Sequence, residues 1–392
     1  MAEFRFQGAI PSSKSVFNRA LIVQSYFPVL DLHGFAGCDD VRFMREGLKK
    51  IKERSRIDCG EGGTTFRFMA LRVSRVRGVH VLKGSQRLMS RPQKGLIDLL
   101  NQLGVQAQIK KDEMHIVSEG WKKPRNAVIK VDTSESSQYA SSLILNSWLL
   151  SADLEFELVG NKVSESYFQL TLEMLKKMGL RIKQTPTGYL VPAEQRLEKL
   201  SYEVEADLSS MFTVASAGAL AGTSIIENFP ETTEQPDKVF VEIFKKMGVG
   251  VDLEGRKLTI TKPKYLRAID WNLFQCPDLF PVLSVVCSFA DGVSKLHGAP
   301  HLVAKESNRI AKVADLFNLL GIKHEVLEDG MIIHGNPHQP LKKGVTFNPD
   351  EDHRMVMAAV LMKLMGHEIN IEHPEAINKS FPEFWGMIGI KP

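Results

Sequence analysis

Apolar and polar positions along this chain follow two periods, a helical one and a strand-like one, that succeed each other several times. An amphipathic helical stretch ends in a glycine, and a short run of alternating apolar and polar residues follows it. The glycines that end these stretches are Gly104, Gly179, Gly248 and Gly321, which are 75, 69 and 73 residues apart. A glycine just past a helix can adopt the left-handed conformation that caps the last carbonyl groups at little steric cost. The spacing predicts a repeated helix–glycine–strand unit, although the local pattern is common in any α/β protein.

This repeat sets the expected architecture. A fifth copy is predicted at residues 384–389, and a degenerate first copy without the glycine at residues 48–57. Six units of about 65 residues fit the 392-residue chain, which is too long for one ordinary core. Because such units bury their apolar faces against neighbouring copies, we expect two similar α/β globules of three units each. No Gly/Ser-rich or Pro-rich linker separates the halves, so a hinge of one or two strands is expected.

Composition and charge argue against several classes of function. Apolar residues make up 43% of the chain and charged residues 24%, and the net charge of +4 is too small to indicate a nucleic-acid partner. The longest apolar run, residues 280–290, is about half of the roughly 20 residues that span a bilayer, so no membrane association is expected. The four cysteines lack metal-ligand spacing, so we expect reduced, mostly buried thiols, a cytoplasmic protein, and neither metal nor cofactor.

The first candidate binding segment is a Pro-Ser-Ser turn that leads into a helix at residues 11–21. Lys14, Ser15 and Arg19 lie near the start of that helix, where free backbone N–H groups and the positive dipole end attract anions. Ser15 and Arg19 are four residues apart, so they share one helix face. A Ser-capped surface helix would give the same pattern, so this segment alone decides nothing.

Glycine-rich and serine-rich turns precede further predicted helices. Residues 59–70 place a glycine-rich turn ahead of Arg67 without a GxGxxG or P-loop pattern, so no nucleotide is implied. The turn at residues 134–139 offers hydroxyl and amide donors to a phosphate, and residues 207–210 either repeat this design or cap a helix. The later polar segments have ordinary structural explanations when taken singly; they are residues 277–278, 305–309, 352–355 and 379–382.

Together and in this order, the segments resemble the motifs of the 5-enolpyruvylshikimate-3-phosphate synthase family of enolpyruvyl transferases. The family patterns PGSKSxxNRAL and GNAGTxxR are similar to residues 11–21 and 60–67. The patterns LxxRP, SSQ, SxxYxxxTLxxM, GDxSSA, QGD, PD, KE(S/T)DR, DHRMxM and KxFPxF are similar to residues 88–92, 136–138, 164–174, 206–211, 235–237, 277–278, 305–309, 352–357 and 379–384. An ordered series over nearly the whole chain is far more specific than any single motif.

The resemblance implies a fold of two globules, each built from three βαβαββ units, that close around the substrates. Residues 13–204 would form the shikimate 3-phosphate side, and residues 1–12 with 205–392 the second globule, with the active site in the cleft between them. The implied reaction transfers the enolpyruvyl group of phosphoenolpyruvate to the 5-hydroxyl of shikimate 3-phosphate and releases phosphate, in chorismate and aromatic amino acid biosynthesis. A monomer with these two small molecules as partners, and no nucleic acid, is implied as well.

The resemblance also assigns roles to individual residues. Those that would bind shikimate 3-phosphate are Lys14, Ser15, Arg19, Ser136, Ser137, Gln138, Ser164, Tyr167, Asp278 and Lys305. Those that would bind phosphoenolpyruvate are Lys14, Gly63, Arg67, Arg91, Gln138, Arg309, Arg354 and Lys379. Asp278 would orient and deprotonate the attacking hydroxyl, while Lys14 and Glu306 would exchange protons at C3 and at the departing phosphate. Many cations are expected because two multiply charged anions repel each other, and arginine forks match their geometry.

Several positions depart from the family pattern. Glu61 stands where asparagine is usual and brings a carboxylate beside an anion pocket. Unless Glu61 is protonated or paired, it should weaken phosphoenolpyruvate binding and change the sensitivity to the family inhibitor glyphosate. Ser12 replaces a glycine, Val41 a threonine, Val303 an arginine and Asn308 an aspartate.

Two alternative functions stay open at this point. The UDP-N-acetylglucosamine enolpyruvyl transferases share the fold and chemistry, but they carry Lys-Asn in the first motif and a reactive loop cysteine. Here Lys14 is followed by Ser15, and residues 83–90 contain no cysteine. The second alternative is a catalytically drifted paralogue that binds a phosphorylated ligand without turnover.

Overall fold

Strands and helices alternate along most of the chain. The computed structural model describes residues 3–53, 55–122, 128–161 and 163–391. The strands are β1 (Phe4–Gly8), β2 (Asp31–His33), β3 (Ile57–Asp58), β4 (Gly78–Lys83), β5 (Gln106–Lys110), β6 (Glu113–Ser118), β7 (Ile129–Asp132), β8 (Leu154–Val159), β9 (Lys183–Gln184), β10 (Gly188–Val191), β11 (Ser201–Glu203), β12 (Gly222–Ile226), β13 (Gly250–Glu254), β14 (Lys257–Thr261), β15 (Asp270–Asn272), β16 (Gly292–His297), β17 (His324–Leu327), β18 (Gly330–Gly335), β19 (Val345–Phe347) and β20 (Ile369–Ile371).

The helices fall between these strands. They are α1 (Lys14–Gln24), α2 (Asp39–Lys50), α3 (Gly63–Ser74), α4 (Gln86–Ser90), α5 (Lys94–Gln102), α6 (Gln138–Leu145), α7 (Glu165–Lys177), α8 (Leu208–Ala221), α9 (Phe240–Met247), α10 (Phe280–Ser288), α11 (Arg309–Leu320), α12 (His353–Leu364) and α13 (Phe384–Ile388). Short 3-10 helices cover Pro236–Val239, Pro277–Leu279, Pro300–Ala304 and Pro374–Lys379. No helix in the described part of the chain is both long and apolar enough to cross a membrane.

The predicted repeat is present as a four-stranded sheet with one fixed topology. The strand orders are β3-β4-β6-β5, β7-β8-β10-β9, β1-β12-β14-β13 and β15-β16-β18-β17. In each sheet the first two strands are parallel and the other two pairs are antiparallel. A helix precedes the second parallel strand and a hairpin supplies the antiparallel strands, as the geometry of each pairing requires. In the sheet that contains β1 and β12, the segment Ser12–Glu205 is also inserted between the two parallel strands. The α/β fold of βαβαββ units is confirmed.

Two further units are shorter than a full βαβαββ repeat. They contain only the parallel pairs β11–β2 and β19–β20. Helix α2 ends at Lys50 and β3 begins at Ile57, so the connection between them is too short to hold a hairpin. After β20, a 3-10 helix and α13 follow, with no further strand in the described residues up to 391.

Contacts divide the chain into two compact units. One consists of Met1–Pro11 with Ala206–Pro392, and the other of Ser12–Glu205. We call them the split unit and the continuous unit. In the continuous unit Ser13 N–H donates to the Glu205 carbonyl at 2.7 Å, and in the split unit Asp207 N–H donates to the Pro11 carbonyl at 2.9 Å. These two bonds hold Ser13 and Asp207, the residues immediately before α1 and α8.

The first helix of each repeat lies at the centre of its unit. In the continuous unit α1, α3 and α6 pack on one another, and in the split unit α8, α10 and α12 do the same. All residues of α10 and nearly all of α8 and α12 are buried. A helix that is apolar on every side must be surrounded by protein. In α8, α10 and α12 the charged side chains therefore lie only in the first or last turn.

The glycines that ended the helical stretches in the sequence have the predicted left-handed conformation. Gly104, Gly179, Gly248 and Gly321 have φ values of 75°, 98°, 82° and 71°. Gly389, which ends the fifth copy, has a φ of 71°. The prediction of glycine caps is confirmed at all of these positions.

We expect Gly248→Ala to lower stability by about 1–2 kcal/mol, because the left-handed conformation brings Cβ too close to the backbone. An added Cβ would meet no other atom closer than 3.7 Å, so the loss would come from the backbone alone. Urea unfolding measures the effect. Gly386→Ala is the control, since Gly386 lies inside α13 with no atom within 4 Å of an added Cβ. Equal losses in both variants would contradict the assignment.

Candidate active site

The first cationic group of the continuous unit forms at the start of α1. Lys14 Nζ lies 2.9 Å from Oδ2 of Asp40, a mostly buried carboxylate in the first turn of α2. The Thr65 hydroxyl donates to the Asp40 carbonyl at 3.0 Å, and Asn18 Nδ2 donates to that hydroxyl at 3.3 Å. These bonds tie the starts of α1, α2 and α3 together. Asp40 thereby orients Lys14, a role that the sequence did not reveal.

The glycine-rich turn packs against this ion pair. A Cβ on Gly62 would lie 2.7 Å from Asp40 Oδ1, so only glycine fits there. Gly63 begins α3, and a Cβ added to it would lie 3.0 Å from the Arg91 guanidinium. The backbone N–H groups at the start of α3, Arg91 and Lys14 can therefore act on the same anion.

Arg19 is buried, and its guanidinium group donates hydrogen bonds to neutral oxygen atoms. Its Nε donates to Thr171 Oγ1 at 2.7 Å, and its two terminal nitrogens donate to the carbonyls of Ser15 at 2.8 Å and Tyr167 at 3.3 Å. The guanidinium lies 5.2 Å from the centre of the Phe68 ring. Burial lowers the pKa of Arg19 to about 10, so the side chain remains charged at neutral pH.

Arg67 links the segment of the glycine-rich turn to the serine-rich turn before α6. Its guanidinium donates to Gln138 Oε1 at 2.8 Å and to Ser136 Oγ at 3.2 Å. The Gln138 amide in turn donates to Thr64 Oγ1 at 3.2 Å. Arg67 thus fixes the orientation of the Gln138 amide, whose position at the start of α6 follows from the serine-rich turn.

The other predicted residues of this unit lie at helix starts as well. Ser137 precedes α6, and Ser164 precedes α7 with a φ of 53°. Both serines are buried. The continuous unit contains Lys14, Ser15, Arg19, Gly63, Arg67, Arg91, Ser136, Ser137, Gln138, Ser164 and Tyr167.

In the split unit, two carboxylates bridge the remaining cations. Asp278 accepts from Arg309 at 2.9 Å and from Arg354 at 2.8 Å, and Lys305 lies 4.0 Å away. Burial by itself would raise the pKa of Asp278, but Arg354, Lys305 and Arg309 hold it well below its usual range. Asp278 is therefore ionised at neutral pH.

Glu306 forms the second bridge. It accepts from Arg309 at 2.9 Å and from Lys379 at 3.2 Å. The structure thus brings together the six predicted residues of the split unit, which are Asp278, Lys305, Glu306, Arg309, Arg354 and Lys379.

Asp352 holds this network in place from the protein interior. It is fully buried and accepts from Arg309 Nε at 2.9 Å, from the Ser307 hydroxyl at 3.0 Å and from Arg354 N–H at 2.9 Å. Burial would lower the pKa of Arg309, but Asp352, Glu306 and Asp278 raise it above its usual value. Asp352 lies in a motif that the sequence singled out, yet its anchoring role was not predicted.

The start of α8 provides another partner. Arg354 donates to the Ser209 hydroxyl at 3.1 Å, and that hydroxyl donates to Asp207 at 2.7 Å. Asp207 also accepts from the backbone N–H of Ser210 at 2.9 Å. The helix cap proposed for residues 207–210 is confirmed, and Ser209 links it to Arg354.

Several departures from the family motifs have clear structural roles. Asn308 accepts from the Ala311 N–H at 3.2 Å and caps α11. The Ser12 hydroxyl accepts from the Phe35 N–H at 3.0 Å. Val303 is exposed on a 3-10 helix, and Glu61 lies in the turn before α3.

The cysteines form no metal centre in the described residues, where no cluster of three or more His, Cys, Asp or Glu side chains could hold a metal ion. Cys38, Cys59, Cys276 and Cys287 are buried thiols, as predicted. Burial raises the pKa of Cys276 and Cys287 to about 12, so these thiols are protonated at neutral pH.

Comparisons with known proteins agree with the motif series. A family model described as EPSP synthase (3-phosphoshikimate 1-carboxyvinyltransferase) matches residues 32–388. The 3-phosphoshikimate 1-carboxyvinyltransferase of Methanocaldococcus jannaschii is 33% identical over 334 residues, 84% of this chain and 77% of that protein. The enzyme of the same name from Pyrococcus abyssi is 32% identical over 332 residues, with the same coverage of 84% and 77%.

Solved structures support the fold. EPSP synthase from Acinetobacter baumannii superposes with a TM-score of 0.76 at 21% identity, over 99% of this chain and 95% of that one. The enolpyruvyl transferase NikO from Streptomyces tendae gives a TM-score of 0.72 at 13% identity, over 99% and 94%. At such identities the likeness concerns the fold alone.

We expect Asp352→Asn to destabilise the protein by about 3 kcal/mol, because losing one partner of a buried ion pair leaves uncompensated charge. The loss should be at the low end of the usual range, since Arg309 keeps Asp278 and Glu306. Asp315→Asn is the matched control, because Asp315 is more than half exposed and pairs with Lys312 at 3.2 Å. Exposed pairs contribute about 0–1 kcal/mol. Urea unfolding that gave the same loss for both variants would contradict the anchoring role of Asp352.

Proposed function

Because the chain belongs to the EPSP synthase (3-phosphoshikimate 1-carboxyvinyltransferase) family, we propose that it transfers the enolpyruvyl group of phosphoenolpyruvate to the 5-hydroxyl of shikimate 3-phosphate. Phosphate is the second product, and the reaction serves chorismate and aromatic amino acid biosynthesis. The observation that carries the proposal is a set of buried, oriented arginines at the family's motif positions, namely Arg19, Arg67, Arg309 and Arg354.

The electrostatic requirement of the reaction supports this assignment. Two multiply charged anions must lie side by side, and fixed cations offset their repulsion at no cost of reorganisation during the reaction. In our proposal Ser15, Arg19, Ser136, Ser137, Ser164 and Tyr167 bind shikimate 3-phosphate together with Lys305. Arg67, Arg91, Arg309, Arg354 and Lys379 bind phosphoenolpyruvate with the backbone at Gly63, while Lys14 and Gln138 contact both substrates.

The chemistry is an addition followed by an elimination. The 5-hydroxyl oxygen bonds to C2 of phosphoenolpyruvate while C3 gains a proton, and the C–O bond to phosphate then breaks as the methyl group loses a proton. Asp278 is positioned to accept the hydroxyl proton, but its low pKa makes it a weak base while Arg309 and Arg354 bind it. Substrate anions that compete for these forks would raise the basicity of Asp278. Lys14 and Glu306 remain our candidates for the C3 proton and the departing phosphate.

The remaining assignments follow from family membership. We infer a cytoplasmic monomer whose partners are the two small-molecule substrates. The competing reactions, with UDP-N-acetylglucosamine as acceptor or with no turnover at all, are distinguished by the assay that tests the proposal.

Purified protein should release inorganic phosphate only when both shikimate 3-phosphate and phosphoenolpyruvate are present. Lys379→Met should reduce kcat/KM by about 100-fold or more, because removing one charge-stabilising donor has effects of that size. Lys343→Met is the control, since Lys343 is exposed and pairs with Glu368 at 3.6 Å. Phosphate release with UDP-N-acetylglucosamine would indicate the rival transferase. Binding of shikimate 3-phosphate without release would indicate the non-catalytic paralogue.

Glu61→Asn should lower the KM for phosphoenolpyruvate by about two- to fivefold, since a partly exposed charge contributes up to about 1 kcal/mol. The removed carboxylate lies in the turn next to Gly62 and Gly63, where an anion is expected. Glu46→Gln, on the exposed side of α2, should leave KM unchanged. Steady-state kinetics at fixed shikimate 3-phosphate gives both values. An unchanged KM in Glu61→Asn would mean that a neighbouring group neutralises Glu61.

A further inference from the structure

Asp237 is a buried carboxyl group beside the split-unit network, and neither the reaction nor the motif roles account for it. It lies in the 3-10 helix Pro236–Val239 and is 5% exposed. Its Oδ1 has no hydrogen-bond partner among the described residues. A buried polar atom without a partner carries an energetic cost, so its presence in a folded protein calls for an explanation.

The surrounding chain holds Asp237 in place. The side chain of the preceding Gln235 donates to the Ala206 carbonyl at 2.7 Å and accepts from Leu208 N–H at 3.1 Å. The Lys238 ammonium, on the same 3-10 helix, donates to the Thr233 carbonyl at 2.9 Å. Asp237 is therefore fixed beside the start of α8, where Ser209 contacts Arg354.

Charged groups from several elements face Asp237. They are Asp278, Arg354 of α12, Asp207 at the start of α8 and Lys305 after the 3-10 helix Pro300–Ala304, together with the Cys276 thiol. Glu242 and Lys246 of the following helix α9 pair with each other at 3.0 Å and are exposed. Both carboxylates that face Asp237 have cation or hydrogen-bond donor partners of their own.

Asp278 and Asp237 have opposite environments. Asp278 accepts hydrogen bonds from two arginines, and those cations favour its ionised form. For Asp237, burial and then the negative charge of Asp278 raise the pKa to about 8, against the smaller opposing effects of Arg354 and Lys305. When the pKa values of two neighbouring carboxyl groups are shifted in opposite directions in this way, one group stays ionised and the other holds a proton.

We propose that Asp237 is a protonated hydrogen-bond donor to the anionic substrate bound by Arg354, and that loss of its proton weakens binding of that substrate at alkaline pH. A protonated carboxyl has one O–H donor, which a phosphate or carboxylate oxygen of the substrate can accept. Ionised Asp237 would instead place a second negative charge beside Asp278 and repel the same anion. The identity of that anion rests on the proposed function; the protonation of Asp237 does not.

The kinetic test uses the full-length enzyme between pH 7.5 and 9.5, where both substrates keep a constant charge. In the wild type, kcat/KM for phosphoenolpyruvate should fall about tenfold per pH unit above the Asp237 pKa. Asp237→Asn keeps a neutral side chain with a hydrogen-bond donor and no titrating group, so its kcat/KM should change little between pH 7.5 and pH 9.5. Asp237→Ser is a second neutral variant. The same alkaline loss in both variants would overturn the proposal.

A second readout is independent of turnover. Protein labelled with ¹³C at aspartate carboxyls should show one signal that titrates near pH 8 and is missing in Asp237→Asn. Inorganic phosphate should bind the wild type more weakly at pH 9 than at pH 7.5, and the Asp237→Asn variant equally at both. If the signal that is missing in Asp237→Asn titrates below pH 5, this inference is overturned and the proposed function stays intact. Failure of phosphate release in the substrate assay would contradict the proposed function and leave the protonation of Asp237 intact.

Stability should report the same proton. The folded protein keeps the Asp237 proton up to about pH 8, whereas the unfolded chain loses it near the ordinary aspartate value of 3.8. The stability of the wild type relative to Asp237→Asn should therefore decrease as pH rises from about 4 to 8 and level off above that. A difference that does not change with pH would contradict a raised Asp237 pKa.

Discussion

Burial of arginine is the constraint on which the site in the split unit depends. Arg309 is 1% exposed, and Asp352, Asp278 and Glu306 bind its three nitrogens. Taking such a charge out of water costs several kcal/mol, and only well-placed partners offset that cost. The start of α11, the start of α12 and the 3-10 helix Pro277–Leu279 must therefore keep fixed positions around one guanidinium. The geometry of the site and the packing of these helices follow from the same contacts.

The continuous unit treats its buried arginine differently. Arg19 is held by a threonine hydroxyl and two backbone carbonyls, all of them neutral. These partners carry no negative charge, and burial lowers the pKa of Arg19, whereas carboxylates raise that of Arg309. This contrast suits different tasks. In our proposal the Arg19 group attracts an anion, while the Arg309 network combines cations with carboxylates that exchange protons.

The sequence predicted the parts of the fold that depend on local backbone chemistry. Each repeat glycine ends a helix because the left-handed conformation there requires it, so periodicity alone located the units. The shorter β11–β2 and β19–β20 units were not foreseen, since sequence spacing does not report which strands gain a hairpin. The motif order located the cations, but not the groups that hold them. Asp40, Asp352 and Thr171 lie 26, 43 and 152 residues from the side chains they orient, and no local pattern reports such contacts.

The repeat also explains how distant motifs come to share one chemistry. Helices α8, α10 and α12 are almost wholly buried, so their bodies lie in the core and their charged side chains are confined to their ends. At those ends, free N–H groups and capping side chains already favour anions. A substitution in such a turn changes the charges and hydrogen-bond donors around the ligand without disturbing the core. Asn308 still caps α11 in place of an aspartate, whereas Glu61 adds a charge beside the glycine-rich turn. Substrate preference can therefore change at these turns while the fold stays constant.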